Sequence, residues 1–137
     1  MSDFYMEWRN AVRRLVKEWN QHGKIVIAYD FDNTVFDYHN EGHKYDYIIN
    51  VLRKCKEFGA HLVVFTASPE ERYDFIKEYL TENDIPYDSI NENPIDGLPE
   101  GRKLYYNILL DDRAGLGEAV MTLEMAFKLM KMKGGQI

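Results

Sequence analysis

The sequence predicts an α/β protein built on a central parallel sheet, a three-layer αβα arrangement in a single domain. Two observations carry this reading. The runs Ile25-Val26-Ile27-Ala28 and Leu62-Val63-Val64-Phe65 are apolar at every position, as strands buried on both faces of a parallel sheet are. Around them lie longer segments whose apolar residues recur at helical spacing. Strands that alternate with helices imply a parallel sheet covered on both faces.

The elements follow in order. Residues 3–21 read as an amphipathic helix with Phe4, Trp8, Val12, Leu15 and Trp19 on one face, stopped by Gly23. Residues 24–29 form the first strand. Residues 45–58 read as a helix with Ile48, Ile49, Leu52 and Cys55 turned inward, and Gly59 ends it. His61-Leu62-Val63-Val64-Phe65 is the second strand. Ser68-Pro69-Glu70-Glu71 reads as a helix start, with Ser as N-cap, Pro in the first turn and Glu three residues after the cap. That helix runs to about Glu82. A short strand over 87–90, a loop, a strand over 107–110 and a last helix over 116–132 complete the chain. No repeat or Pro/Gly-rich linker divides it. The 137 residues make one domain, with the N-terminal helix at about 3–21 and a core at about 24–132.

Composition narrows the setting. A hydrophobic fraction of 45% and a charged fraction of 29% are ordinary for a globular chain. No apolar run approaches the roughly 20 residues that span a bilayer. The start Met1-Ser2-Asp3-Phe4 lacks the pattern of a secretion signal, and the single cysteine, Cys55, has no intramolecular partner. A cytoplasmic protein with no membrane association is expected. The net charge of −6 speaks against non-specific binding to nucleic acid, which draws on Lys and Arg.

The chemistry is concentrated at strand ends. The first strand ends in Asp30-Phe31-Asp32-Asn33-Thr34, the second in Thr66, and the last in Asp111-Asp112. Ligands of open parallel sheets sit beyond the carboxyl ends of the strands, so these groups share one edge. Four carboxylates there repel one another unless protons or a cation intervene. Their hard oxygens suit Mg²⁺.

Asp30-Phe31-Asp32-Asn33-Thr34 is similar to the first motif, DxDx[TV], of the haloacid-dehalogenase-like (HAD) phosphohydrolases. Val63-Val64-Phe65-Thr66 resembles the second motif, and Ile108-Leu109-Leu110-Asp111-Asp112 the fourth. The third is a single Lys or Arg ahead of the last strand; Lys103 is the choice, with Arg102 its rival. The resemblance covers Ile25 to about Leu116. It implies a Rossmann-like HAD fold and an Mg²⁺-dependent phosphatase. By the resemblance, Asp30 attacks phosphorus to give an aspartyl-phosphate, and Asp32 serves as general acid and then as base. Asp30, the backbone carbonyl of Asp32 and Asp111 hold Mg²⁺, with Asp112 ligating or supporting. Thr66 hydrogen-bonds a phosphoryl oxygen, Lys103 offsets charge on the phosphoryl group, and the backbone after Asp32, at Asn33, offers anion-binding amides. Many relatives have Gly at the position of Asn33; Asn tolerates the left-handed backbone such a turn needs.

Larger members of that family insert a cap domain after the first motif or between the second and third. Here residues 35–44 and 85–102 are too short to fold independently, so a capless, open site is expected. The substrate is then a small phosphorylated molecule or an exposed phosphate on a larger one. The loop carrying Tyr38, His39 and His43 leans the expectation toward a nucleotide or a nucleic-acid terminal phosphate. Asn91, Glu92 and Asn93 follow a strand end and are candidates to line the crevice or to be plain loop. Cys55 reads as core and His61 as structural.

The last helix has a core stripe, Leu116, Ala119, Val120, Leu123, Phe127 and Met130, and a second stripe, Met121, Met125, Leu129 and Met132. A helix apolar on two faces is buried twice. The second stripe is covered either by the N-terminal helix or by a second copy in a homo-oligomer. Two rival functions also stand. A receiver-type signalling domain gathers similar groups but puts its phosphoacceptor on a middle strand, and the strand over 87–90 ends without such an acid. The other is a catalytically weak phosphate-binding protein that kept the fold.

Overall fold

The computed structural model describes residues 3–132. Four parallel strands, β1 (Ile25–Tyr29), β2 (Ala60–Val64), β3 (Ser89–Ile90) and β4 (Ile108–Leu110), lie in the order β3-β2-β1-β4. Four helices accompany them: α1 (Trp8–His22), α2 (Asp46–Glu57), α3 (Tyr73–Glu82) and α4 (Leu116–Met132). This is a mixed α/β architecture of Rossmann-like kind. No helix among the described residues is long and apolar enough to cross a membrane.

β1 lies between β2 and β4, and all five of its residues are buried. That placement explains why its sequence shows no polar alternation. Its side chains divide between two unequal layers. Ile25, Ile27 and Tyr29 join Leu62, Val64 and Leu110 in one cluster with the buried residues of all four helices. Val26, Ala28 and Val63 form a second cluster on the opposite face. There Leu98, Leu104, Tyr105 and Tyr106, from the crossover between β3 and β4, pack with Leu109. The expected three-layer αβα arrangement is therefore corrected. Helices cover one face, and a loop covers the other. The reason is in the crossover itself: Pro94, Gly97, Pro99 and Gly101 leave no uninterrupted stretch for a helix.

The N-terminal helix also starts later than its periodicity predicts. Asp3 accepts a hydrogen bond from Tyr5 N–H and holds a single 3₁₀ turn over Phe4–Met6. Glu7 is extended (φ −83°, ψ 114°), and its carboxylate accepts from Arg9 N–H at 3.4 Å, so α1 begins at Trp8. Phe4 is thus 60% exposed and Trp8 37%, and the buried face is Val12, Leu15, Val16 and Trp19. Fully burying side chains of this size is worth about 1.5–3 kcal/mol each. Trp19 also donates its indole N–H to Phe58 O at 3.1 Å, tying α1 to the end of α2.

Gly23 closes α1 in the left-handed conformation (φ 71°), its N–H on Trp19 O at 2.8 Å. Gly59 packs against it. A Cβ at Gly59 would stand 2.9 Å from Gly23 O, at a φ of 96°, so no other residue fits there without displacing backbone.

α4 buries Val120, Thr122, Leu123, Ala126, Phe127 and Met130. Its second stripe is not covered by α1: Met121 (60%), Met125 (40%) and Met132 (78%) are exposed, while Leu129 packs partly on the core. α1 meets α4 beside that stripe rather than over it, with Leu15 and Thr122 lining a shared groove beside β4.

Register puts the strand ends level. Tyr29 pairs with both Val64 and Leu110. The residues that follow therefore emerge together: Asp30 N–H donates to Leu110 O at 2.9 Å, and Phe65 N–H donates to Tyr29 O at 2.8 Å.

Candidate functional site

The turn after β1 is built from backbone and rings. The N–H groups of Val35 and Phe36 both donate to Phe31 O at 3.1 Å, and Asn33 N–H donates to Phe36 O at 2.8 Å. Asn33 takes φ 59°, the left-handed conformation that Asn accepts more readily than most residues. Phe31 is fully buried, stacked on Phe36 at 5.0 Å and edge-on to Tyr79 of α3. With the apolar side chains pinned inward, Asp30 and Asp32 are left facing the crevice beyond the strand ends.

That crevice has a volume of about 710 Å³, and Asp30, Asp32, Asn33, Thr66, Asp111 and Asp112 all line it. The three strand ends thus bring the predicted acids and the hydroxyl together. Asp30, Asp111 and Asp112 each offer a carboxylate oxygen, and these oxygens lie within 4.8 Å of one another. Asp111 is shaped by Arg113 N–H, which donates to its Oδ1 at 2.8 Å. Asp112 is exposed, so water reaches the cluster. Three hard oxygen donors with solvent access are a set that a divalent cation such as Mg²⁺ accepts. The carboxylate of Asp32 is not among them.

The crowding shows in Asp30. Burial raises its carboxyl from 3.8 to about 7, a hydrogen bond with Asp112 and the charge of Asp111 add to the rise, and the Phe31 N–H opposes it. That N–H donates to Asp30 Oδ1 at 2.9 Å. Like charges that share a site stabilise the protonated form of one of them.

Asp32 has a different neighbour. Arg72 donates from Nη1 to Oδ2 at 2.7 Å and from Nη2 to Oδ1 at 2.8 Å, a two-pronged ion pair. Nη1 also donates to Ser68 Oγ at 2.7 Å. The guanidinium carbon lies 5.5 Å from the ring centroids of Phe31 and Tyr38 and 5.7 Å from that of Phe75. This corrects the reading of the Ser68 helix start. Ser68 spends its hydroxyl on Arg72, a 3₁₀ turn spans Glu70–Arg72, and α3 begins only at Tyr73.

Thr66 is buried and held from behind by Asn91. Asn91 Oδ1 accepts from Thr66 N–H at 2.9 Å, and its Nδ2 donates to Thr66 O at 2.7 Å and to the Tyr73 hydroxyl at 2.8 Å. Thr66 Oγ1 accepts from Ser68 N–H at 3.0 Å, which leaves its own proton to donate into the crevice. Asn91 is therefore a support for the site rather than part of its lining.

Lys103 and Arg102 are not brought to the crevice. Both are exposed, and the Lys103 ammonium lies over the Tyr106 ring at 5.6 Å from its centroid. Among the described residues, the Arg and Lys side chains that line the crevice are Arg72 and Arg113. Sequence reasoning passed over Arg72. Its signal was its position, in the turn that leads from the same sheet edge as the acids into α3. Tyr38, 54% exposed, and His39 line the mouth, whereas His43 faces Glu41 at 3.5 Å.

A parallel four-stranded sheet with its polar groups at one carboxyl edge defines the class, an open α/β protein with a crevice site. A conserved protein of Bacteroides thetaiotaomicron has a solved structure similar to this one. The TM-score is 0.60 at 20% identity, over 80% of this chain and 92% of that one. At that identity the likeness concerns the fold. No protein-family model matches the chain, and no curated protein does.

Proposed function

We propose that this chain is a capless phosphohydrolase of the HAD-like type that hydrolyses a phosphate monoester with Mg²⁺. The single observation that carries the reading is the meeting of Asp30, Asp111 and Asp112, with carboxylate oxygens within 4.8 Å, beside Asp32 and the buried Thr66. An acidic cluster alone is common; one framed by a second aspartate two residues on and a hydroxyl on the neighbouring strand end suits phosphoryl transfer.

In this reading a carboxylate oxygen of Asp30 bonds to phosphorus as the ester P–O bond breaks, and the departing oxygen takes a proton from Asp32. Water then attacks phosphorus and gives its proton to Asp32. The aspartyl P–O bond breaks, and inorganic phosphate and free Asp30 remain. Each Asp32 oxygen keeps a lone pair beyond the one on Arg72, and that lone pair is where the transferred proton would sit. Thr66 donates to a phosphoryl oxygen. Asp30, Asp111 and Asp112 would hold Mg²⁺, which supplies charge neutralisation at the phosphoryl oxygens. Tyr38 and His39 at the mouth support a nucleotide or a nucleic-acid terminal phosphate as substrate, since an exposed ring can stack on a base.

The test is phosphate release from an aryl phosphate with and without Mg²⁺, run beside Asp30→Asn. Metal-dependent release that is lost in the variant is expected. Release that survives the substitution, or none from the wild type with Mg²⁺ on aryl and nucleoside monophosphates, would refute the reading.

A further inference from the structure

Four carboxylates line the crevice, Asp30, Asp32, Asp111 and Asp112, and a phosphate ester adds further negative charge. A cation fixed beside the reacting group is needed to offset it. Lys103 and Arg102 stand outside the crevice. Arg113 lines it but is exposed, and only its backbone N–H is engaged, on Asp111. Arg72 differs in being both present and immobilised. Its guanidinium is held in plane by the two oxygens of Asp32 and by Ser68 Oγ. Its faces are bounded by Phe31, Phe36, Tyr38 and Phe75, with centroids at 5.5–5.8 Å.

A guanidinium has five N–H groups. Two on Nη1 and one on Nη2 are spent on Asp32 and Ser68. The Nε–H and the second Nη2–H have no acceptor among the described residues. Two donors on one edge of a fixed plane match two oxygens of a phosphoryl group.

We propose that Arg72, and neither Lys103 nor Arg102, is the cation that binds the phosphoryl group of the substrate. Asp32 and Ser68 hold its plane, and the ring cage stops it from swinging into solvent. The assignment rests on the phosphohydrolase reading for its catalytic meaning, but phosphate binding tests it separately. The pairing with Asp32 also means that the proton-transferring group and the phosphoryl ligand are one rigid unit, so loss of the fork is felt in turnover more than in affinity for the rest of the substrate.

The experiment compares wild type, Arg72→Ala, Arg72→Lys and Lys103→Ala in two assays. One is binding of inorganic phosphate in Mg²⁺ by calorimetry; the other is steady-state hydrolysis of an aryl phosphate. Arg72→Ala is expected to weaken phosphate binding at least about 10-fold and to lower kcat by about 10²-fold, as loss of one fixed transition-state donor does. Arg72→Lys keeps the charge without the fork and is expected to retain the fold while losing about 10-fold in kcat with KM little changed. Lys103→Ala is expected to stay within about twofold in both assays. If Arg72→Ala is unfolded by circular dichroism, the Arg72→Lys result decides. Wild-type activity in both Arg72 variants, or a larger loss in Lys103→Ala, overturns the assignment and leaves the hydrolase reading standing. No turnover by wild type with phosphate binding still dependent on Arg72 overturns the hydrolase reading and keeps the assignment. Absence of both turnover and phosphate binding in the wild type overturns both.

Discussion

Replacing Asp30 with Asn should make the metal-free protein more stable. The side chain keeps its shape and its Oδ1, so the hydrogen bond from Phe31 N–H survives, while one of three clustered charges is removed. Two unit charges at the outer separation of 4.8 Å repel by about 3 kcal/mol at an effective dielectric of 20 and by about 1 kcal/mol in bulk water. A carboxyl raised from 3.8 to about 7 in the fold corresponds to about 4 kcal/mol at full weight. Asp30 is only half-buried, and solvent screening reduces either figure to about 1–2 kcal/mol. The sign follows from the direction of the shift. With the folded-state value above the unfolded one, wild type loses stability as pH rises from 3.8, and the loss is complete above about 7. The gap between variant and wild type should therefore be near zero at pH 4, grow through pH 5–7 and stay level at pH 8. Thermal melts in a chelating buffer at pH 5 and pH 8 measure it, with a rise of about 4–7 °C expected for Asp30→Asn at pH 8. Added Mg²⁺ should raise the wild-type midpoint more than that of the variant. A variant that melts at or below wild type at pH 8 without metal, or a gap that ignores pH, would refute the electrostatic account of this site.

Other parts of the structure are as open to measurement. Asn91→Ala removes two hydrogen bonds to Thr66 and one to Tyr73 and leaves at φ 53° an alanine, which tolerates the left-handed region less well than Asn, so a loss of about 2–4 kcal/mol is expected in urea unfolding; Asn91→Gly should recover about 1 kcal/mol of it by relieving the backbone alone. Gly59→Ala meets Gly23 O at 2.9 Å and should cost about 2 kcal/mol or more, whereas Gly23→Ala, with nothing within 4 Å, should cost about 1 kcal/mol from φ alone. Cys55 is buried on α2 and its thiol is pushed up to about 12 by burial; an aromatic disulfide reagent at pH 8 should label it only at the rate of unfolding, and prompt labelling would mean that α2 opens on its own.

The strands were readable because burial on both faces leaves an unmixed apolar run, and Ile25-Val26-Ile27-Ala28 has one. Level strand ends then follow from topology, which is why Asp30, Asp32, Thr66 and the Asp111-Asp112 pair could be placed at one edge before any contact was known. Arg72 was hidden because its partner lies 40 residues away, and helical periodicity says nothing of which way a side chain in the turn before a helix reaches. Lys103 was misplaced for a related reason: a lone basic residue ahead of a strand has no spacing that ties it to the edge. At the N-terminus, periodicity put Phe4 and Trp8 on the buried face of a helix, but the short acidic caps at Asp3 and Glu7 broke the segment in two. The third layer was inferred from the alternation of strands with helices, which does not say that the crossover holding Pro94 and Pro99 stays out of helical form.

That crossover divides the protein into a thick side and a thin one. On the thick side, four helices must separate before the sheet is exposed. On the thin side, a few side chains of one loop keep water from Val26, Ala28 and Val63. Segments of that kind open independently of the global transition. The sheet can therefore be wetted from one face while the helical layer stays intact. Amides of residues 94–106 should exchange with solvent long before those of β1, and a protease that nicks this stretch would find the chain still folded. The same loop runs from β3, beside Asn91, to β4, just before Asp111. It therefore joins the segment that holds Thr66 from behind to the one that carries the Asp111-Asp112 pair.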